Sequence, residues 1–220
     1  MNSLDSRFLR FADTFAQSFA QPGRYCYDFG LPLPNRIRSV DAPFTINVKA
    51  SRNNNPEGRQ HNVSVRSDGG RLKADPPTLE IEAGDAVLWS AATPSTPGFC
   101  VSGHSETDSF NSAALAREAI YTHAFGSPGV FEWEDANGHR VSGKVVVTMP
   151  PTGSAREMES YKGRLSEATL VVISGERVEP PQVEVVVGQT VFFAVEKAAG
   201  ITVTDRRLKA EIPLPQLKTL

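Results

Sequence analysis

Sulfur is scarce in this chain: 220 residues contain two cysteines, Cys26 and Cys100, and three methionines. Two thiols cannot build the disulfide framework of a small secreted domain or a four-cysteine zinc site. Long apolar runs are missing too. No stretch approaches the roughly 18 uninterrupted apolar residues of a membrane-spanning helix, so no membrane insertion is expected. An excess of either charge is also absent, since 23 Lys and Arg stand against 25 Asp and Glu. A net charge of −2 supplies no field to gather nucleic acid or an anionic membrane. The opening residues MNSLDSRFLRFADTF carry charge early and never become a continuous apolar stretch, which predicts no signal peptide. A cytoplasmic protein with no nucleic-acid partner is the expectation.

What the chain does have is alternation with a period of two, the signature of strands with one buried face. Thr78–Ala83 (TLEIEA) places Leu79, Ile81 and Ala83 on one side and its glutamates on the other. After a Gly84-Asp85 turn, Val87 and Trp89 resume the buried side. Val130–Glu134 (VFEWE) points Phe131 and Trp133 inward, and Lys144–Thr148 (KVVVT) reads as a closing strand. Asp68-Gly69-Gly70 is a hairpin signal. The one helical hint is Ser112–Arg117 (SAALAR). Pro32–Pro43, Ser51–Gln60 and Met149–Lys162 read as breaks or linkers, being rich in proline or devoid of apolar residues. This punctuation predicts an all-β fold of sandwich type.

Two internal matches organise the chain. Pro76–Val87 (PPTLEIEAGDAV) returns as Pro180–Val191 (PPQVEVVVGQTV), and Phe15–Tyr25 (FAQSFAQPGRY) returns as Tyr121–Phe131 (YTHAFGSPGVF). The middle of the chain thus holds a first half followed by a second half, while the chain opens on a second half and closes on a first half. The division this order predicts is a complete module over 60–149, inserted into a split module made of 1–50 plus 163–220. Neither outer piece has core enough to stand alone. Closure within one chain is favoured by the effective concentration of tethered ends. Closure between chains would build rings or filaments by strand complementation.

The middle module resembles a cupredoxin, the plastocyanin and amicyanin family of blue-copper sandwiches. Ile81-x-Ala83-Gly84-Asp85-x-Val87-x-Trp89 carries the resemblance, followed by Phe110-x-Ser112, Phe125-x-x-Pro128-Gly129-x-Phe131 and Gly143–Val147. It implies two Greek-key β-sandwiches. In that family copper sits on an upstream histidine and on a cysteine, a histidine and a methionine before the last strand. By that match Asp135 stands in the cysteine position, Gly138 in the second histidine's and Val141 in the methionine's. No histidine lies near Gly98–Cys100, where the upstream ligand belongs, and the outer module's cysteine position falls near Phe29. With the soft thiolate gone, the family's electron transfer is not carried over.

A rebuilt metal site from Cys100, His104, Asp135 and His139 is the alternative, because the family fold gathers their loops at one end of the sandwich. Their spacing matches no ligand motif. No G-x-S-x-G elbow accompanies Ser90, Ser95, Ser102 or Ser105, and so no catalytic residue is assigned. Glu132 and Glu134 read as outward strand positions, Arg206, Arg207 and Lys209 as a solvated rim, and His123 as a satisfied or edge histidine. The expectation is a non-catalytic structural or assembly component without a cofactor, acting through a protein partner or self-association.

Overall fold

The computed structural model describes residues 3–30, 42–51, 58–198 and 200–209. Most of the two breaks expected at Pro32–Pro43 and Ser51–Gln60 lies outside them. The N-terminal piece supplies β1 (Asp13–Ser18), β2 (Gly23–Gly30) and β3 (Phe44–Lys49). Next come β4 (Gln60–Asp68), β5 (Arg71–Asp75), β6 (Thr78–Glu82), β7 (Ala86–Ala91), β8 (Cys100–His104) and β9 (Ser109–Asn111). The second half of the middle gives β10 (Ala119–Ala124), β11 (Gly129–Glu134) and β12 (Ser142–Thr148). After α1 (Ala155–Ser166) come β13 (Thr169–Ser174), β14 (Arg177–Glu179), β15 (Gln182–Val186), β16 (Thr190–Lys197), β17 (Thr204–Asp205) and the single turn α2 (Arg206–Lys209).

These strands form three sheets, so the all-β class holds, in a sandwich-like arrangement. An eight-stranded mixed sheet runs β14-β13-β16-β10-β1-β7-β4-β5. A five-stranded sheet, β6-β3-β2-β8-β9, faces its β1-β7 side. A four-stranded sheet, β15-β12-β11-β17, faces its β10-β16 side.

The hydrogen-bonded partners differ from those that the sequence order suggests. The N-terminal strands pair with residues 60–111: β1 with β7, β2 with β8 and β3 with β6. The C-terminal strands pair with 119–148: β16 with β10, β17 with β11 and β15 with β12. Both second halves carry the same inward alternation, so either could accept either first half. Chain distance separates the two options. Each piece closes on its neighbour in sequence, which costs less loop entropy than joining the two ends. The outer pieces still touch: Ser6 N donates to the Val203 carbonyl at 2.9 Å and Asp205 N to that of Leu4 at 2.7 Å.

Two aromatic groups fill the space between the sheets. In the first, Trp89 stacks near Phe15 and Phe110, at 5.5 and 5.4 Å between centroids, and meets Tyr27 edge-on at 5.6 Å. In the second, Phe193 lies 5.9 Å from Tyr121 and 5.4 Å from Trp133, while Phe125 contacts Phe131 at 4.7 Å. Trp89 is fully buried and Phe131 nearly so, as the alternation predicts. The hairpin between β4 and β5 turns on Gly69 and Gly70 at φ +58° and +79°, the double left-handed turn that glycine makes without strain.

Helical structure falls in a different place from the one expected. Ser112–Arg117 is a turn: Ser112 exchanges hydrogen bonds with Val101, and Asn111 Oδ1 accepts from Ala113 N at 2.8 Å. Local side-chain bonds of this kind compete with a helix. The expected linker Met149–Lys162 instead enters α1. Ser154 caps it, accepting from Glu157 N at 3.2 Å, and Tyr161 OH donates to the Val187 carbonyl at 2.8 Å.

Candidate functional site

The four residues of the alternative metal site are not gathered. Cys100 opens β8, is buried, and its Sγ–H donates to the Gly30 carbonyl at 3.0 Å. Burial pushes its thiol pKa up, which disfavours the thiolate a metal needs. His104 closes the same strand, exposed, roughly 13 Å away at strand rise. Asp135 follows β11 in the four-stranded sheet. It is buried, with Oδ1 accepting from Thr202 N at 2.6 Å and Thr202 Oγ1 at 3.1 Å, and Oδ2 from His139 N at 2.7 Å. The His139 side chain is exposed. Among the described residues no group of three His, Cys, Asp or Glu could hold a metal ion. The position that the resemblance gives to a copper cysteine is therefore spent on tying Thr202 to the loop before β12. Its counterpart Phe29 packs against Phe99 at 5.5 Å and Phe44 at 5.1 Å.

A buried polar cluster forms where β1 meets β10 and takes in His123, expected as a satisfied or edge histidine. Asp13 Oδ1 accepts from Tyr121 OH at 2.7 Å and lies 2.6 Å from His123 Nδ1, while Oδ2 accepts from Arg10 N at 2.8 Å. Asp13 and His123 are each 2% exposed. Desolvation, with the Asp13 charge beside it, lifts the Tyr121 phenol well above its ordinary range. His123 Nε2 has no hydrogen-bond partner among the described residues. The signal was parity: Asp13 shares the inward phase of Phe15, and His123 that of Tyr121 and Phe125. With both groups sealed from solvent, the cluster holds β1 on β10. A second latch is Asp85, which accepts from Arg59 N at 2.8 Å, Glu82 N at 3.1 Å and His61 Nε2 at 2.8 Å.

The outer face of the eight-stranded sheet is the feature left without a structural explanation. Opposite the core, one row reads Leu170, Phe192, Thr122, Thr14, Ser90, Ser64 across β13, β16, β10, β1, β7 and β4. The next reads Val172, Ala194, Ile120, Ala16, Leu88, Asn62. Phe192, Val172, Ala194, Ile120, Ala16 and Leu88 are partly exposed, and Leu170 is 50% exposed. At the outward positions of β13, β16, β10, β1 and β7, charge enters only at the end of β16, with Glu196 and Lys197. Neither helix rests there: α1 packs on β15 and α2 on β17 and β11.

The two smaller sheets show what solvated faces look like in this same molecule. Outward positions of the five-stranded sheet include Arg24, Asp28, Lys49, Glu80 and Glu82, with Lys49 and Glu80 paired at 2.8 Å. The four-stranded sheet sets Glu132 beside Lys144 in register, and Arg206 reaches Glu132 at 3.4 Å. Arg206 and Arg207, read as a solvated rim, are paired with Glu132, Glu134 and Asp205 around a shallow depression that Val130 also lines. The ends of the large sheet are charged too. Arg71, Lys73 and Asp75 mark β5 and Arg177 and Glu179 mark β14, a composition that blunts growth by strand addition. Among the described residues, the face and not the edge is what the large sheet leaves open.

No family model matches the chain, and no curated protein or solved structure matches it either.

Proposed function

We propose that this chain is a non-catalytic assembly component, a subunit of a larger cytoplasmic complex built on copper-free, cupredoxin-like sandwiches. The observation that carries the reading is the nearly charge-free outer face of β13, β16, β10, β1 and β7 at the middle of the eight-stranded sheet. A soluble antiparallel or mixed sheet normally alternates apolar inward with polar outward. Here Leu170, Val172, Phe192, Ile120 and Leu88 break that rule together, while the outward positions of the two smaller sheets are mostly polar, the Val130–Val146 pair apart. Contiguous apolar surface with a charged border is what protein interfaces present. The sealed Asp13–His123 pair supports a role without catalysis, and two free cysteines support a reducing compartment. No helix among the described residues is long and apolar enough to cross a membrane.

Hydroxyl-radical footprinting in the native extract tests this reading. Leu88, Ile120, Leu170 and Phe192 should be oxidised more slowly in the extract than in the isolated, diluted chain. Equal rates in both would overturn it.

A further inference from the structure

We infer that the molecule is a two-fold dimer fused into one chain, in which a strand-edge seat on each repeat takes an apolar–Asx–Ser segment supplied by the other. The inference stands apart from the assembly reading, because it concerns the interior of the molecule and not its open face.

The repeats run in tandem. The match of Phe15–Tyr25 with Tyr121–Phe131 extends back at one spacing, so that Leu4-Asp5-Ser6 falls on Phe110-Asn111-Ser112 and Leu9 on Leu115. The strand registers carry the equivalence forward. β1 meets β7 with Phe15 opposite Trp89, and β10 meets β16 with Tyr121 opposite Phe193. β2 meets β8 with Tyr27 opposite Gly103, and β11 meets β17 with Trp133 opposite Asp205. Phe15 and Tyr121 are themselves partners, which puts the axis that relates the repeats through that pair. Contacts across the axis come in exchanged pairs, as in an isologous interface. Ser18 N donates to the Glu118 carbonyl at 3.2 Å, and Ala124 N to the Ala12 carbonyl at 3.0 Å.

The same exchange lays the first segment of each repeat on the other. Ser6 N donates to the Val203 carbonyl at 2.9 Å, and Val203 N to Ser6 Oγ at 3.0 Å. Ser112 N donates to the Val101 carbonyl at 2.9 Å, and Val101 N to Ser112 Oγ at 2.9 Å. Asp5 bridges Thr204 as Asn111 pairs with Ser102. Each Asx side chain accepts from the amide two residues on, Asp5 Oδ1 from Arg7 N at 3.1 Å and Asn111 Oδ1 from Ala113 N at 2.8 Å. Both segments then return to their own repeat, with Leu9 bridged to Phe99 and Leu115 to Ile201. Leu4, Ser6 and Ser112 have no exposed surface, and Phe110 is buried. The ligand class follows from these contacts. An apolar side chain enters the core, an Asx turn sets the backbone, and a serine donates and accepts against one valine. Each seat is a site of strand addition with its own side-chain requirement. Because the two seats read one pattern, either segment fits either seat.

Hydrogen exchange on the full chain tests the seats, with synthetic peptides of residues 3–10 (SLDSRFLR) and 109–116 (SFNSAALA) as probes. In Leu4→Asp the Val203 amide should exchange about tenfold faster or more, while the Val101 amide of the other seat keeps its wild-type rate. Either peptide, added in excess, should return Val203 to slow exchange in that variant. Neither should alter the wild type, whose seats are filled. Ser6→Ala serves if Leu4→Asp does not fold, and Val203 should again be the amide released. Unchanged exchange at Val203 in the variant that folds overturns the inference. So does a released Val203 that the 109–116 peptide fails to slow, because interchangeable segments are what a fused dimer requires.

Discussion

Trp89 has no exposed surface, and its indole lies within 5.6 Å of the rings of Phe15, Tyr27 and Phe110. Trp89→Ala should therefore cost about 3–5 kcal/mol in a denaturant titration, the usual range for emptying a large aromatic site. A near-neutral result would mean that the strand is in the wrong phase. Alternation made residues of this type legible, because an aromatic at an inward position has one reading. Inward polar residues had no such rule. Asp13 and His123 were visible as letters, yet only the β1–β10 register makes them partners across the seam. The same limit applied to Cys100, His104, Asp135 and His139, whose spacing left open an association that the sheets do not make. Asp85 gives a pH test. Desolvation works to raise its pKa, but hydrogen bonds from Arg59, Glu82 and His61 outweigh that and hold it below the ordinary carboxylate value. A depressed folded pKa stabilises the fold above the unfolded value of about 3.9, and that contribution fades as pH falls through the folded value. Wild-type stability should drop on acidification below about pH 4, and Asp85→Asn should flatten part of that slope. Parallel pH profiles for the two proteins would contradict the latch.

At the scale of elements, strands announced themselves and their partners did not. The period-two runs at Thr78–Ala83, Val130–Glu134 and Lys144–Thr148 became β6, β11 and β12 within two residues at either end. The helix was hidden because it buries none of its residues, so no apolar stripe marked it. Its readable sign was the capping box Ser154-Ala155-Arg156-Glu157. Pairing was hidden for a different reason: matching halves share one pattern, and a pattern does not state which copy it will join. Deleting residues 1–48 probes the pairing observed. It removes β1, β2 and nearly all of β3, the partners of β7, β8 and β6. By hydrogen exchange, amides of 60–111 should lose protection, while β12 and β15, paired at Val145 and Val183, should keep theirs. Loss of protection in both regions would mean that the chain folds as one indivisible unit.

At the scale of the molecule, two smaller sheets pack on one continuous eight-stranded sheet, and the middle of that sheet turns an apolar face outward. A role through surfaces is an expectation that the sequence supports, but the place of the surface is not legible in it. Leu88, Ile120 and Phe192 lie far apart in the chain and become neighbours only when β7, β1, β10 and β16 line up. Each one alone is an ordinary outward apolar residue on a strand. Their sum is a contiguous apolar patch. The measurement that bears most directly on this account is the size of the native protein in its own extract, for the wild type and for Ile120→Lys side by side. The account predicts that the wild type elutes well above the size of one chain and that the variant, still folded, falls back to it. A wild-type protein that elutes as a single free chain would contradict it, and so would a large complex that Ile120→Lys leaves unchanged.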